Sequence, residues 1–301
     1  MKTLRECVQE ALATKTAIGH FNISNLEGFW AVVRAAQELS LKAGKDIPVI
    51  IGVSEGERDF IGVAQVRALV DSVNVTKNTS GLAAYPPIFL NADHTYSFDR
   101  VKEVIDAGYD AVIFDGTQLS FSDNVATTKK CVEYARAKNP DILIEAELGF
   151  IGKSSEVHDT VPAGVSFSEE ALTKVASAKE FVTATGVDML APAVGNMHGL
   201  LKNMPKPALN IPRIAEISQA VGIPLVLHGG SGDSESDLSA AIDAGIAIVH
   251  INTELRVAYR NALRLSLQDN PDEVAPYRYL KPAVQAMQAI VEKKLAIYNR
   301  L

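Results

Sequence analysis

The stretch IPLVLHGGSGDSESDLSAAIDAGIAIVHIN (223–252) decides the fold. Its two ends, IPLVLHG (223–229) and GIAIVHIN (245–252), are short apolar runs rich in β-branched residues, the pattern of strands buried on both faces. Between them LSAAIDAG (238–245) has helical spacing and stops at Gly245; glycine just past the last helical turn is a common stop signal. Pro224 opens the first run, where a missing N–H matters least. Strand, helix, strand in this order is the repeating unit of a parallel sheet.

Outward from that unit the same alternation covers the chain. The other apolar runs are AIGHFNI (17–23), IPVIIGV (47–53), PIFLNAD (87–93), DAVIFD (110–115), DILIEAEL (141–148) and VDMLAPAV (187–194). Helix patterns such as LEGFWAVVRAAQELSLKAG (26–44) and FDRVKEVIDAG (98–108) separate them. Eight such units predict an α/β fold, a (β/α)8 TIM barrel, with an additional C-terminal helix from Tyr279 to Arg300. No linker, low-complexity tract or repeat divides the sequence, so a single domain over 1–301 is expected. No G-x-G-x-x-G follows the first run, which removes support for a dinucleotide fold.

Composition narrows the function classes. Hydrophobic residues make up 47% of the chain, enough for a full core, which excludes a largely disordered protein. The formal net charge of −7 argues against nucleic acid as the main partner. No run approaches the roughly 18 apolar residues of a membrane span, and MKTLRECVQEALATKTAIG (1–19) has no secretory apolar block. The two cysteines, Cys7 and Cys131, lack metal-ligand spacing and are expected to be buried free thiols in a reducing compartment, the cytoplasm.

Barrel chemistry sits at the C-terminal strand ends, and polar residues interrupt the apolar runs there. The first run supplies Asn22 and Ser54 follows the second; the third ends in Asp93 with His94 just after it, and the fourth ends in Asp115. Glu145 and Glu147 lie in the fifth, Asn196 and His198 follow the sixth, the seventh contains His228 near its end, and the eighth contains His250 and Asn252. Three histidines with one open position match a catalytic zinc site. Around such a site Asp115 and Glu147 could form an alternative or second metal position, or orient the imidazoles.

Gly229, Gly230 and Ser231 form a turn whose backbone N–H groups can approach an anion, beside Asn252 and Thr253, where many barrels hold phosphate. None of the eight runs contains a lysine, and Lys153 and Lys202 lie in loops, so carbonyl chemistry falls to a metal Lewis acid rather than a Schiff base. Asp93, next to His94, can shuttle a hydroxyl proton. The long segment IGKSSEVHDTVPAGVSF (151–167), with no apolar period, reads as a lid.

With these residues in view, the chain resembles the class II, metal-dependent fructose-bisphosphate aldolases almost end to end. The resemblance rests on FNISNLE (21–27), PVIIGVSEG (48–56), NADHTYSFD (91–99), VIFDGT (112–117), IEAELGFIG (144–152), VGNMHG (194–199), LHGGSG (227–232) and INTELR (251–256) taken together. It implies a Zn2+-dependent barrel that joins dihydroxyacetone phosphate to an aldehyde as a homodimer or homotetramer, acting on a phosphorylated sugar, with a place for a second divalent or monovalent cation. Position by position it makes His94, His198 and His228 the zinc ligands and Asp93 the acid/base at the C4 hydroxyl. Asp115 and Glu147 match a second metal position. Gly199, Gly229 and Ser231, with Thr253, match phosphate-holding groups, Asn252 falls where relatives carry Asp, Asn or Ala, and Ser54 lies near the second phosphate.

Three positions depart from the family pattern. Ser155 stands where relatives resemble G-G-x-E-D and carry the proton-transferring Glu, with Glu156 one place on as the substitute. His250 stands where the family has an Asn that hydrogen-bonds the reacting fragment, and Arg278 in APYRYL is offset from a family Arg near the second phosphate. The departures leave three readings: cleavage of fructose 1,6-bisphosphate, the same reaction on tagatose 1,6-bisphosphate or another ketose 1-phosphate, and a non-catalytic sugar-phosphate-binding descendant.

Overall fold

Each apolar run becomes a strand because side chains on both faces of a barrel strand are buried, inward against the opposite strands and outward against helices. The computed structural model describes residues 2–76, 84–152 and 154–301, so the reading of Lys153 lies outside the described residues. The strands are β1 (Ile18–Asn22), β2 (Val49–Val53), β3 (Ile88–Thr95), β4 (Ala111–Phe114), β5 (Leu143–Leu148), β6 (Val157–His158), β7 (Met189–Pro192), β8 (Leu200–Leu201), β9 (Leu225–Leu227) and β10 (Ile246–Ile251). Eight of them close a barrel in the order β1-β10-β9-β7-β5-β4-β3-β2, while β6 and β8 pair only with each other. All the barrel pairings are parallel. Pro48, Pro87 and Pro224 each sit one residue before a strand.

The helices are α1 (Leu4–Thr14), α2 (Leu26–Ala43), α3 (Glu55–Ile61), α4 (Val63–Val75), α5 (Phe98–Asp106), α6 (Phe121–Lys138), α7 (Val175–Thr185), α8 (Ile211–Val221), α9 (Glu235–Ala244), α10 (Thr253–Asp269), α11 (Pro276–Tyr279) and α12 (Lys281–Tyr298). Glycines 44, 186, 222 and 245 cap α2, α7, α8 and α9. The expected C-terminal helix is α12, which lies on α2 and α10. Among the described residues no helix is long and apolar enough to cross a membrane.

One helix closes the floor. Helix α1 starts in a capping box between Thr3 and Glu6. Its Leu4, Cys7, Val8 and Ala11 pack with Ile18, Ile50, Phe89, Leu143, Met189, Val226 and Ile248 in one buried cluster at the strand starts. Arg5 ties the helix to Asp188 at 2.8 Å, and Arg136 reaches the same carboxylate at 2.7 Å. Cys7 and Cys131 are both buried and unpaired. Successive inward residues of a strand are two apart, so the next positions up from this apolar floor are His20, Gly52, Asn91, Glu145, His228 and His250.

Candidate active site

The upper end of the barrel is shaped by a break in the β3–β4 ladder. The register shifts between Ala92 and Thr95, and His94 takes a φ of 39°, a conformation that a non-glycine residue rarely adopts. Such strain costs about 1–3 kcal/mol and persists only where surrounding structure enforces it. A bulge re-aims side chains, and here Asp93 and His94, adjacent in sequence, both enter the mouth. Buried Arg58 braces it, bonding to the backbone oxygens of Val53 (2.6 Å) and Asp93 (3.2 Å) and to Thr95 Oγ1 (3.0 Å).

His94, Glu147, His198 and His228 bring four donor atoms within 4.8 Å of one another. Asp115 Oδ2 accepts from His94 Nδ1 at 2.9 Å and Glu145 Oε1 from His228 Nε2 at 2.8 Å. Each carboxylate therefore fixes a tautomer and turns the other nitrogen inward. Those inward atoms, His94 Nε2 and His228 Nδ1, lie 3.2 Å apart. Two nitrogens bound tetrahedrally at the usual zinc distance are roughly 3.3 Å apart, so the spacing fits such an ion. His198 Nε2 and Glu147 Oε2 are buried with no protein partner, as donors awaiting a cation would be.

The electrostatics agree with that fit. Burial opposes charge on His94, yet Asp93, Asp115 and Glu147 outweigh it and raise its pKa to about 10. Burial and the neighbouring Asp115 push Glu147 up to about 8. Burial, reinforced by His94 and His228, holds His198 well below the ordinary histidine range. The group of side chains favours one added positive charge, and a divalent ion supplies it more strongly than a proton.

Asp93 stands beside the cluster with Oδ1 3.9 Å from His94 Nε2 and 3.4 Å from His250 Nδ1. Burial alone would raise its pKa, but His94 and His250 hold it well below the usual carboxylate value, so it is an anion able to accept a proton. Its Oδ2 accepts from Asn22 Nδ2 at 2.9 Å, and the same amide donates to Glu57 Oε2 at 2.9 Å. Glu57 also accepts from Ser54 N, Ser54 Oγ, Ser24 Oγ and, at 2.6 Å, Arg256 Nη2. A small cavity in the mouth is lined by Asn22, Asp93, Ser155, His198, Gly199, Gly229, Ser231, His250, Asn252 and Thr253.

The glycine turn is tied to the start of α10. Ser231 Oγ accepts from the backbone N–H groups of Asn252 and Glu254 at 3.3 Å. Beneath the turn the buried Lys206 ammonium donates to the carbonyls of Gly229 and Ser231 and lies 3.3 Å from Asp233. Gly229 has a φ of 66°, and a Cβ there would come within 2.2 Å of the Met197 carbonyl. Only glycine allows the turn to pass that close to the segment carrying His198. Gly199, with a φ of 85°, is blocked in the same way by the Glu156 carbonyl and the His158 ring.

The structure brings Asp93, His94, Glu147, His198, His228, His250, Asn252, Thr253, Gly199, Gly229, Gly230 and Ser231 to this one mouth. Asp115 is outside the donor cluster and acts on the far nitrogen of His94. Ser54 faces Glu57. Glu156 is exposed, while its neighbour Ser155 lines the cavity. Arg278 is exposed and pairs with Glu273 at 3.1 Å. Segment 151–167, read as irregular, carries β6, whose neighbourhood is pinned to the His198 loop: Ile151, Glu156 and His158 accept from the N–H groups of His198, Leu200 and Lys202.

Sequence reasoning missed the orienting role of Glu145, the hub at Glu57 with Arg256, the lysine under the turn, and His20. An Arg three residues after Thr253 on a helix whose start faces the mouth was the available signal for Arg256. His20 was hidden inside an apolar run.

A family model described as fructose-bisphosphate aldolase class-II matches residues 2–300. The fructose-bisphosphate aldolase of Staphylococcus aureus (strain Mu50) is 36% identical over 298 residues, 97% of this chain and 95% of that relative. That of Geobacillus stearothermophilus is 36% identical over the same shares. Among solved structures, the YdjI aldolase of Escherichia coli K12 superposes with a TM-score of 0.77 at 28% identity, covering 98% of this chain and 96% of that one.

Proposed function

The chain belongs to the class II fructose-bisphosphate aldolases, a family of metal-dependent aldehyde-lyases, and from that premise we propose that it cleaves fructose 1,6-bisphosphate reversibly to dihydroxyacetone phosphate and glyceraldehyde 3-phosphate with Zn2+. The observation that carries the reading is the pair of inward nitrogens 3.2 Å apart on His94 and His228, each fixed by a carboxylate, with Asp93 beside them. His94, His198 and His228 would hold the ion, with Glu147 within reach as a further or alternative ligand. When bound, it supplies Lewis acidity to the ketose oxygens.

The chain's own groups then divide the work. Asp93 Oδ accepts the C4 hydroxyl proton as the C3–C4 bond breaks, and the electron pair stays with the three-carbon fragment. His250 and Asn252 meet the oxygens of that fragment. Gly199, Gly229, Gly230, Ser231 and Thr253 hold its phosphate, where the start of α10 favours an anion. Ser54 and Arg256, both on Glu57, receive the distal phosphate, while Arg278 is engaged with Glu273. Glu156 returns the proton at C3 only after segment 154–158 shifts to bring it past Ser155.

Exposed Leu265, Leu267, Val274 and Tyr277 support assembly as a homodimer or homotetramer, which the mass in solution would read. The two unpaired thiols support a cytoplasmic setting. The deciding experiment is a coupled cleavage assay on metal-loaded protein, with fructose and tagatose 1,6-bisphosphates side by side and a chelated control. Chelator-sensitive release of dihydroxyacetone phosphate from the fructose sugar is expected. Release from the tagatose sugar alone would transfer the assignment to that epimer, and release from neither with zinc bound would overturn it.

A further inference from the structure

His20 is the one histidine inside the barrel with no part in the reaction described above. It sits on β1 directly opposite His250 on β10, as a register pair. Their rings stack at 3.5 Å between centroids with 3° between planes. The ring of His228, one residue past the end of the next strand, stacks on His250 at 4.0 Å and 23°. Two near-parallel rings at these distances must occupy opposite faces of His250, and the strand order β1-β10-β9 puts them there.

The outer rings of this row are anchored and the central one is not. Asn91 Nδ2 lies 3.1 Å from His20 Nε2, and Glu145 holds His228 at 2.8 Å. His250 has only Asp93 Oδ1, at 3.4 Å, and its buried Nε2 has no protein partner. The space for His20 is made by Gly52: a Cβ there would fall 2.0 Å from the imidazole, although the backbone itself would accept one. Room has been left for a ring at this position. A smaller or non-planar side chain would free one face of His250 and let it swing away from Asp93 and the cavity it lines.

We propose that His20 is a positioning residue for the reaction: by closing the face of His250 opposite His228, it fixes the imidazole that meets substrate beside Asp93. The inference rests on the reading of His250 as a substrate-contacting group. A bifurcated alternative, an ion shared by His20 and His250, does not suit the geometry, because the in-plane lone pairs of two parallel stacked rings do not converge.

The test is a double-variant cycle on metal-loaded protein with fructose 1,6-bisphosphate, comparing His20→Gln, His20→Phe, His250→Ala and the pair His20→Gln/His250→Ala. Gln keeps a polar partner for Asn91 at similar volume but removes the flat face; Phe keeps the face and removes the polar partner. We expect His20→Gln to lower kcat about tenfold with KM and zinc content little changed, and His20→Phe to retain most of kcat. In the His250→Ala background, His20→Gln should have no further effect, since it acts through the ring that is gone. The His250 imidazole proton resonance, identified by its loss in His250→Ala and displaced by two flanking rings, should move in His20→Gln and stay in His20→Phe. An equal loss with and without His250, or no loss in His20→Gln while His250→Ala is impaired, would overturn the positioning role alone. Unimpaired His250→Ala would overturn the reading of His250 and this inference with it.

Discussion

The floor and the mouth of this barrel are built by the same strands, yet they differ in almost everything else. At the floor, Ile18, Ile50, Phe89, Leu143 and Val226 meet α1 in a buried apolar layer. Two residues on, His20, Gly52, Asn91, Glu145 and His228 occupy the next inward positions, and above them come Asn22, Asp93, Asp115 and Glu147. Buried polar atoms lacking a protein partner gather there: His20 Nδ1, Asn22 Oδ1, Asn91 Oδ1, Glu147 Oε2, His198 Nε2 and His250 Nε2. Each such atom costs about 1–3 kcal/mol when left unmet. The apolar floor and the surrounding helices offset that cost, so stability and chemistry are separated along the strand axis.

The sharpest way to break this division is at the mouth. His228→Ala should abolish both stoichiometric zinc and cleavage, read by metal analysis and the coupled assay; a full equivalent of zinc in that variant would show that the three-histidine assignment is wrong. Asp93→Asn should keep zinc and lose about 10²–10⁴ in kcat. Its thermal midpoint in the metal-free state at neutral pH should fall below that of the parent, because His94 and His250 favour the Asp93 anion in the folded chain and the amide gives up that stabilisation. Glu145→Gln, one step away from the ion, should weaken zinc about 10- to 100-fold in a chelator titration while leaving saturated kcat nearly intact. At the floor the order of effects reverses. Ile50→Ala should cost about 2–5 kcal/mol in denaturant unfolding with kcat per folded molecule unchanged, and a large fall in kcat there would break the comparison.

Much of this was readable from the chain alone. The eight runs announced the strands because parallel strands buried on both faces need continuous apolar sequence, and the rim residues stood out as polar interruptions at the same end of each run. What escaped reading depended on contacts between distant segments. Helix α1 carries charges through its apolar positions, so nothing local says that Leu4, Cys7 and Val8 plug a barrel. Glu57 and Arg256 lie 199 residues apart and meet only after closure. The left-handed backbone of His94 follows from the shifted β3–β4 register, which no propensity reports. The segment 151–167 read as unstructured because its order comes from single backbone bonds to the His198 loop rather than from apolar periodicity.

Those bonds set where this chain can change length over evolutionary time. On one side the acceptors are Ile151, Glu156 and His158; on the other the donors are His198, Leu200 and Lys202. Between the first two rungs the sequence spends five steps against two, and the surplus residues carry Ser155 to the cavity. An insertion inside that bow would displace Ser155 or unzip the rung that steadies His198, whereas one placed after His158 would meet no such rung. Homologues with longer segments are expected to have gained their residues beyond the pairing, and deletions before it should be purged, since shortening the bow pulls on the rung between Ile151 and His198.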